Sequence, residues 1–472
     1  MFDTKSIPAI GKLGSAVGDF SDRLFDRSIR LAVTGLSQGG KTVFISSLIN
    51  QLLRGQNLPF FSVISDNRFI GARLDKRPDQ EHESFPYKRF IDSIYNSKPA
   101  WPEPTDRIRE IRVAIRYRPV GFLRKRLSTM STLNLDIVDY PGEWLLDLPL
   151  LGMSYQQWSA QTLELCQNKP RDTLAKDWLN YLASLEHKNN VSEQEIAQAA
   201  TLYSTFLQRC RDPQYHLSFL QPGRFIMPGE LKNSPLLHFC PYALNSVHNT
   251  AQINVKLFTE METRFETYKQ EVVKKFYDEQ FSHFDRQIVL ADLLKTLNTS
   301  YETFLDMQQS LTGVLQSFHY GRSSLFQRLF DNRIDKVLFA ATKADHVASN
   351  QHHNLKILFE RMVMDAARNI GFQGVQYEIT SLSSIKCTET VVTDYHGQKL
   401  SCVKGKPKGA DQEKILFPGE IPEYLPTPED WNNDRFNFQE FLPPVLPDLE
   451  RNSMPHIRLD QALEFLIGDK MQ

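Results

Sequence analysis

The stretch Gly35-Leu36-Ser37-Gln38-Gly39-Gly40-Lys41-Thr42 decides the fold of this chain, because it fits the phosphate-binding pattern G-x-x-x-x-G-K-[ST]. A short apolar pattern that includes Leu31 and Val33 precedes it and predicts a β-strand, and apolar residues at helical spacing follow it. A glycine loop between a strand and a helix directs backbone N–H groups and a helix N-terminus at a phosphate. The predicted phosphate-binding residues are Gly35, Ser37, Gln38, Gly39, Gly40, Lys41, Thr42 and Val43.

A second motif, Asp139-Tyr140-Pro141-Gly142, follows alternating apolar residues that predict a strand. Beside a phosphate loop, Asp139 is suited to hold Mg²⁺ through water, and the Gly142 N–H faces a terminal phosphate. The alternative is an ordinary strand-ending turn capped by aspartate. Thr105 precedes the neighbouring predicted strand. It is interpreted equally well as a second hydroxyl ligand for Mg²⁺ or as an exposed turn residue. The predicted metal ligands are Thr42, Thr105 and Asp139.

A third motif, Thr342-Lys343-Ala344-Asp345, fits the [N/T]-K-x-D pattern of guanine recognition and follows a predicted strand. An ionised Asp345 accepts hydrogen bonds from N1–H and the 2-amino group of guanine, whereas adenine offers neither donor and would leave the carboxylate unpaired. The Lys343 stem is expected to cover the face of the base. The alternative is a charged loop after a strand. Ser381 and Leu382 follow the next predicted strand, and their backbone N–H groups are expected near the guanine O6.

Strand and helix patterns alternate along residues 28–143 and 284–389, which predicts an α/β fold with a parallel P-loop NTPase sheet. Residues 144–283 show helical spacing and are expected to form a large helical insertion domain. Three further segments complete the predicted organisation: an N-terminal extension at 1–27, a Pro- and Gly-rich extension at 390–455, and a C-terminal helix at 456–472 that packs on the nucleotide-binding domain.

Two smaller patterns lie inside the first α/β part. Residues 56–106 are rich in Pro, Asp and Arg and are expected to form an ordered but mobile loop without regular elements. The alternating patterns around Val113 and Leu135 are joined by a short basic turn. They predict two strands of a β-hairpin.

The composition limits the classes of partner. The chain has 472 residues, with 55 Lys and Arg against 56 Asp and Glu, and a formal net charge of -1 gives no global field that would attract nucleic acid. The five cysteines show no CxxC or Cys/His spacing, which argues against a disulfide framework and a structural zinc site. No signal peptide or membrane span is recognisable, so we expect a cytoplasmic protein. The stretch 122–127, with Arg124, Lys125 and Arg126 between apolar residues, could touch acidic lipid, although a solvated loop is the more ordinary interpretation.

The motifs above occur in the order of the G-motif series of Ras-like GTPases, which the chain resembles over about half of its length. In addition, a set of segments resembles the bacterial YcjX family nearly end to end, at residues 31–37, 136–149, 221–225, 317–321, 338–347 and 456–470. The resemblance implies a stress-linked protein in which a Ras-like G domain carries a helical insertion and binds GTP or GDP with Mg²⁺. It also implies an unknown protein partner, with a membrane-associated stress protein as one candidate.

The chain departs from the Ras-like pattern at two positions. Glu143 stands after Gly142, where Ras-like enzymes carry the glutamine that orients the attacking water, and Ser37 stands where a glycine is often found. The resemblance therefore implies slow or differently assisted hydrolysis. The predicted catalytic residues are Glu143, Lys41 and Gly142, with Glu143 either placing the water or acting only as a surface switch residue. A carboxylate beside a phosphate is repelled unless Mg²⁺ or an arginine offsets its charge.

An arginine that assists hydrolysis has three candidates in this chain, namely Arg73, Arg109 and Arg224. Each also has the more ordinary interpretation of a solvated arginine, and a partner protein is the alternative source. The apolar residues 144–150 are interpreted either as a partner surface exposed in one nucleotide state or as packing against the insertion.

The motifs predict a Mg²⁺-dependent GTPase that acts as a conformational switch, and the family resemblance implies a role in a bacterial stress response of the envelope or phage-shock type. Loss of the γ-phosphate is expected to release residues 56–106 and the segment after Gly142. One alternative is a nucleotide-gated scaffold with negligible hydrolysis, which the unusual Glu143 suggests. The other is an ATP-dependent small-molecule kinase, against which the motif at 342–345 argues.

Overall fold

The central element of the fold is a mostly parallel β-sheet. The computed structural model describes residues 27–36, 39–76, 82–96, 98–102, 107–120, 130–188, 190–242, 254–317, 334–372, 374–432, 435–446 and 453–472. These residues form an eight-stranded sheet of β1 (Arg27–Leu36), β2 (Phe69–Asp75), β3 (Glu83–Ser84), β4 (Arg109–Tyr117), β5 (Ser131–Asp139), β6 (Arg286–Ala291), β7 (Lys336–Ala341) and β8 (Gln376–Ser381).

The strand order explains why the predicted motifs meet. The sheet runs β2-β4-β5-β1-β6-β7-β8, with β3 beside β4. Strands β5, β1, β6, β7 and β8 are mutually parallel, whereas β4 pairs antiparallel with both β5 and β2. The α/β fold class, the parallel sheet and the hairpin of β4 and β5 are therefore confirmed. Parallel strands bring their carboxyl ends to one edge, where the loops after β1, β5, β7 and β8 lie together.

Helices cover both faces of the sheet and form the segment between β5 and β6. The α-helices are α1 (Lys41–Arg54), α2 (Ser62–Ser65), α3 (Tyr87–Ile94), α4 (Tyr155–Leu165), α5 (Arg171–Leu174), α6 (Lys176–Leu185), α7 (Glu193–Arg211), α8 (Gly223–Ile226), α9 (Val255–Tyr268), α10 (Lys275–Glu279), α11 (Leu293–Thr299), α12 (Tyr301–Ser317), α13 (His352–Phe372) and α14 (Leu459–Ile467). A π-helical turn, Lys269–Lys274, joins α9 to α10, and residues Gly142–Gly152 form a 3₁₀ segment after β5. Among the described helices, none is both long and apolar enough to cross a membrane.

The helices between β5 and β6 are held by aromatic packing. The Trp158 and Phe265 rings stack with centroids 4.9 Å apart, and Trp178 lies 4.7 Å from Tyr203. Ser154 and Ser192 begin α4 and α7 with capping boxes, which explains where these helices start. This aromatic core is continuous with the core under one face of the sheet, so the helices have a fixed position relative to β1 and β5. On the other face, α14 packs with α1 in a second core.

Residues 56–106 differ from the expectation of an irregular loop, because they contain β2, β3, α2 and α3. Among the described residues, the edge strand β2 pairs with β4, and its residues are exposed or half-buried. Its apolar alternation spans only Ile70, Ala72 and Leu74, inside a segment rich in Pro, Asp and Arg, and this short pattern was too weak to predict a strand. A register shift between Phe69 and Gly71 breaks the period further. The prediction of a segment without regular elements was therefore wrong.

The extension after β8 also contains strands that its weak periodicity did not predict. They form a separate antiparallel sheet of β9 (Glu389–Tyr395), β10 (Gln398–Gly405) and β11 (Lys414–Leu416). His396 and Gly397 have φ angles of 52° and 80°, as a two-residue hairpin with left-handed residues requires. Most residues of β9 are exposed, so the strand carries polar side chains on both faces and no apolar alternation.

Candidate functional site

A cavity of about 390 Å³ lies at the carboxyl edge of the central sheet, and several predicted loops line it. Lys41 and Thr42 come from the start of α1, Glu143 from the segment after β5, and Lys343 and Asp345 from the loop after β7. The remaining predicted phosphate-binding residues among the described ones also line it: Gly35, Gly39, Gly40 and Val43. Ser37 and Gln38 lie outside the described residues.

The glycines of the phosphate loop permit close backbone contacts. Gly40 has a φ of 81°, a left-handed conformation that disfavours other residues. A Cβ atom at Gly39 would lie 2.6 Å from the backbone oxygen of Leu290 in β6. The loop therefore lies directly against the sheet edge, and a larger residue at Gly39 would push it into the cavity.

Lys41 connects the phosphate loop to the end of β5. Its Nζ donates a hydrogen bond of 2.8 Å to the Tyr140 carbonyl oxygen and lies 4.0 Å from Oδ1 of Asp139. Asp139 is 1% exposed and lies behind Lys41 rather than in the cavity lining. A Cβ atom at Gly142 would lie 2.5 Å from the Gly35 oxygen, so the backbone at Gly142 also contacts the phosphate loop.

The residues around Lys41 suit a magnesium ion. Thr42 lines the cavity and supplies a hydroxyl, and the buried Asp139 supplies a carboxylate beside the same loop. Hydroxyl and carboxylate oxygens with space for water and phosphate are the donor set that Mg²⁺ favours. Thr105, the other predicted ligand, lies outside the described residues.

The opposite end of the cavity carries the predicted base-reading residues. Oδ2 of Asp345 accepts a hydrogen bond of 2.7 Å from the Cys387 backbone N–H. Lys343 adopts a φ of 60°, and its Nζ lies 2.5 Å from Oδ2 of Asp292. Burial opposes the charge on Lys343, but Asp292 and Glu440 outweigh it and raise the pKa of this ammonium group. Lys343 is therefore held in place as a cation.

The loop after β8 lines the cavity with residues other than those predicted. Ser381 and Leu382 are buried below the cavity. The Ser381 hydroxyl donates to the His352 carbonyl at 2.9 Å, and the Leu382 N–H donates to Ala341 at 2.9 Å. The residues of this loop that line the cavity are Ser383, Ser384, Ile385 and Cys387. The residues of this loop that line the cavity therefore lie C-terminal to the two predicted residues.

Asp345, His346 and Cys387 form a cluster of side chains that are chemically able to ligate a metal. Their donor atoms lie within 4.8 Å of one another. Burial lowers the pKa of His346 and raises the pKa of the Cys387 thiol well above its usual value. The thiol is therefore protonated at neutral pH, and a metal ion would have to displace this proton in order to bind. We interpret this cluster as part of the cavity wall at the end that carries the predicted base-reading residues, which we call the base end.

Glu143 is paired with an arginine that the sequence analysis did not single out. Its Oε1 lies 3.1 Å from Nη2 of Arg211, the last residue of α7, and both side chains line the cavity. No local pattern connects two residues so far apart in the chain, so sequence reasoning had no signal for this pair.

The three predicted arginine candidates lie elsewhere among the described residues. Arg73 is 79% exposed and Arg109 lies near Glu83, whereas Arg224 stacks on the Trp144 ring at 3.3 Å. None of these three lines the cavity in the described part of the chain.

Comparison with known proteins identifies the family of this chain. The model of the YcjX-like family, DUF463, matches residues 29–471. The chain belongs to this family. The Ras-like GTPase YcjX of Escherichia coli K12 is 39% identical over 471 residues, which cover 98% of this chain and 100% of that protein. The Ras-like GTPase YcjX of Shewanella oneidensis MR-1 is 39% identical over 473 residues, covering 95% and 96%. The family predicted from the sequence is confirmed.

In this YcjX-like chain, further walls of the cavity come from residues that were not among the predicted site residues. Trp101, Glu440 and Phe441 line it, and Trp101 Nε1 donates a hydrogen bond of 2.9 Å to the Phe441 carbonyl. Burial would raise the pKa of Glu440, but neighbouring lysines, first of all Lys343, outweigh it and lower the pKa to about 2. The extension after β8 therefore contributes a charged wall to the base end.

Proposed function

We propose that this chain binds GTP in the cavity at the sheet edge, hydrolyses it to GDP with Mg²⁺, and acts as a conformational switch. The observation that carries the proposal is that Lys41, Glu143 and Asp345, from three loops far apart in the chain, line one cavity of about 390 Å³. The relatives in Escherichia coli and Shewanella oneidensis, both named Ras-like GTPases, support the same activity.

At the phosphate end, Lys41 exchanges its present acceptor, the Tyr140 carbonyl, for the outer phosphates of the nucleotide. Thr42 and Asp139 would hold Mg²⁺, which supplies positive charge to the β- and γ-phosphates. The Gly142 backbone lies next to the phosphate loop, and its N–H would donate to the γ-phosphate. Glu143 follows it and positions the attacking water.

At the base end, Asp345 reads guanine through its carboxylate. Each carboxylate oxygen has two lone pairs, so Oδ2 can keep the hydrogen bond from Cys387 while the carboxylate accepts from N1–H and the 2-amino group. Lys343 is fixed by Asp292, which directs its aliphatic stem along the base. Adenine has no donors for Asp345, and this difference sets the specificity.

The switch acts through the segment after Gly142. Residues Gly142–Gly152 are buried almost throughout, and a Cβ atom at Gly223 would lie 2.5 Å from the carbonyl carbon of Glu143. Movement of Glu143 on loss of the γ-phosphate therefore changes the packing of the insertion. A stress-linked role and a membrane-associated partner stay predictions from the family resemblance.

Calorimetry with GDP and ADP on the full chain, together with phosphate release from GTP, tests the proposal. We expect GDP to bind at least about tenfold tighter than ADP, because adenine would leave Asp345 unpaired. Lys41→Ala should abolish phosphate release, whereas Lys176→Ala, which removes an exposed lysine at the start of α6, should not change it. Tighter binding of ADP would favour the kinase alternative, and GTP binding without phosphate release would favour the scaffold.

A further inference from the structure

The helical insertion places one arginine in the nucleotide cavity. Arg211 ends α7 and lines the cavity together with Lys41, Thr42 and Glu143. We propose that Arg211 contacts the γ-phosphate of GTP and stabilises the charge that develops during hydrolysis, an inference that rests on the proposed function. The insertion is then a functional part of the active site and senses the γ-phosphate directly.

The position of Arg211 follows from its contact with Glu143. Nη2 of Arg211 lies 3.1 Å from Oε1 of Glu143. Glu143 is the neighbour of Gly142, whose backbone lies against Gly35 of the phosphate loop. The guanidinium group is therefore at the phosphate end of the cavity and not at the base end, where Asp345 lies.

The contact between Arg211 and Glu143 compensates the negative charge of the carboxylate. Glu143 is largely buried beside a cavity that we propose to hold a triphosphate, and a carboxylate in that position is repelled by the nucleotide. A guanidinium group carries five N–H donors, so Arg211 can hold Glu143 and a phosphate oxygen at the same time. Its other contact, from Nη1 to the Met227 sulfur at 3.1 Å, is with a weak acceptor that a phosphate oxygen would replace.

The helix that carries Arg211 is rigidly supported. Tyr203, Phe206 and Cys210 of α7 are buried in the aromatic core of the insertion, and the Cys210 carbonyl accepts a hydrogen bond from the Leu217 N–H at 2.9 Å. The Arg211 side chain itself is 31% exposed and can adjust to a ligand. A fixed backbone with an adjustable side chain is suited to stabilise a transition state.

The test compares Arg211→Ala and Arg211→Lys with Arg209→Ala in the full chain. Arg209 lies on the same helix end but pairs with Asp177 at 3.1 Å and does not line the cavity. For Arg211→Ala we expect single-turnover hydrolysis of GTP to fall about 10³-fold, since an arginine that contacts the γ-phosphate contributes on this order. The variant should also fail to assemble the GDP–fluoroaluminate complex, while GDP affinity stays within about twofold. Arg209→Ala should behave as wild type.

Arg211→Lys keeps a positive charge but not the planar fork of donors, so it should recover only part of the rate. Circular dichroism and GDP binding show whether each variant folds. Hydrolysis and fluoroaluminate assembly at wild-type levels in folded Arg211→Ala would overturn the inference while leaving the proposed function intact.

Failure of the proposed function has a different signature, because wild type would then show no preference for GDP over ADP. If wild type binds GTP without hydrolysis, the affinities for GTPγS and GDP decide the inference. In that case Arg211→Ala should lower the affinity for GTPγS by about tenfold and leave that for GDP unchanged. An unchanged ratio of the two affinities would contradict a contact with the γ-phosphate.

Discussion

The backbone N–H of Gly223 donates a hydrogen bond of 2.7 Å to Oδ1 of Asp147, and this contact joins the 3₁₀ segment after Gly142 to α8. Oδ2 of the same carboxylate accepts from the Tyr268 hydroxyl at 2.6 Å and from the Arg224 N–H at 3.3 Å. A single buried carboxylate thus holds α8 and α9 against the 3₁₀ segment. We expect a movement of that segment to displace both helices.

Asp147 makes stability depend on pH. Burial raises the pKa of Asp147 from 3.8 to about 6, although hydrogen bonds from Tyr268 and Gly223 oppose the shift. The folded state therefore binds this proton more tightly than the unfolded state, and its advantage, up to about 3 kcal/mol, is lost as pH rises from about 4 through 6. Urea unfolding of wild type and Asp147→Asn measures the effect. The unfolding free energy of wild type should fall relative to that of Asp147→Asn as pH rises over this range, and a difference that does not change with pH would contradict the assignment.

Gly142 is predicted to tolerate no side chain. A Cβ atom there would lie 2.5 Å from the Gly35 oxygen and 2.7 Å from the Thr34 hydroxyl oxygen. Gly142→Ala should lower the free energy of unfolding by about 1 to 3 kcal/mol through overpacking, and should also weaken GDP binding. Gly71→Ala is the matched control, because no atom lies within 4 Å of its added Cβ. Equal effects of the two substitutions in denaturant titrations would show that the close approach at Gly142 does not exist in solution.

Asp345→Asn should change the preferred base. The asparagine oxygen can still accept from the Cys387 N–H, while its amide group presents a donor to the base. GDP should then bind roughly tenfold to a hundredfold more weakly, and the xanthine nucleotide should bind more tightly than to wild type, since its 2-oxo group accepts a hydrogen bond. Calorimetry with GDP and XDP measures both effects. A variant that keeps the wild-type preference would place the base elsewhere.

The insertion depends on a buried ion pair with α12. Nη2 of Arg171 lies 2.5 Å from Oδ1 of Asp306, whose other oxygen accepts from the Phe219 N–H at 3.0 Å. Asp306→Ala leaves the arginine charge buried without its partner, so we expect a loss of about 3 to 5 kcal/mol in unfolding free energy. Asp177→Ala, which breaks an exposed pair with Arg209, should cost less than about 1 kcal/mol. Thermal and urea unfolding measure the loss of unfolding free energy for both variants. Similar losses would contradict the expectation that burial makes the removal of Asp306 more costly.

The sequence predicted the part of the site that depends on local patterns and on sheet topology. Lys41, Asp139 and Asp345 each stand at or just after the end of a strand, and parallel strands bring such ends to one edge. Their meeting could therefore be inferred without coordinates. The sequence failed for the exposed edge strands β2 and β9, because the apolar alternation of β2 spans only three residues and β9 carries polar residues on both faces.

By itself the sequence determined the family and the α/β sheet, and it predicted the three loops of the candidate nucleotide site, because each is encoded by neighbouring residues. Only the tertiary structure decided that Arg211 contacts Glu143, that Asp147 holds the insertion, and that Trp101 and Glu440 close the base end. The physical reason is that these contacts join side chains from elements far apart in the chain. Their proximity depends on how the aromatic core of the insertion packs against the sheet, and no local pattern of residues specifies that packing.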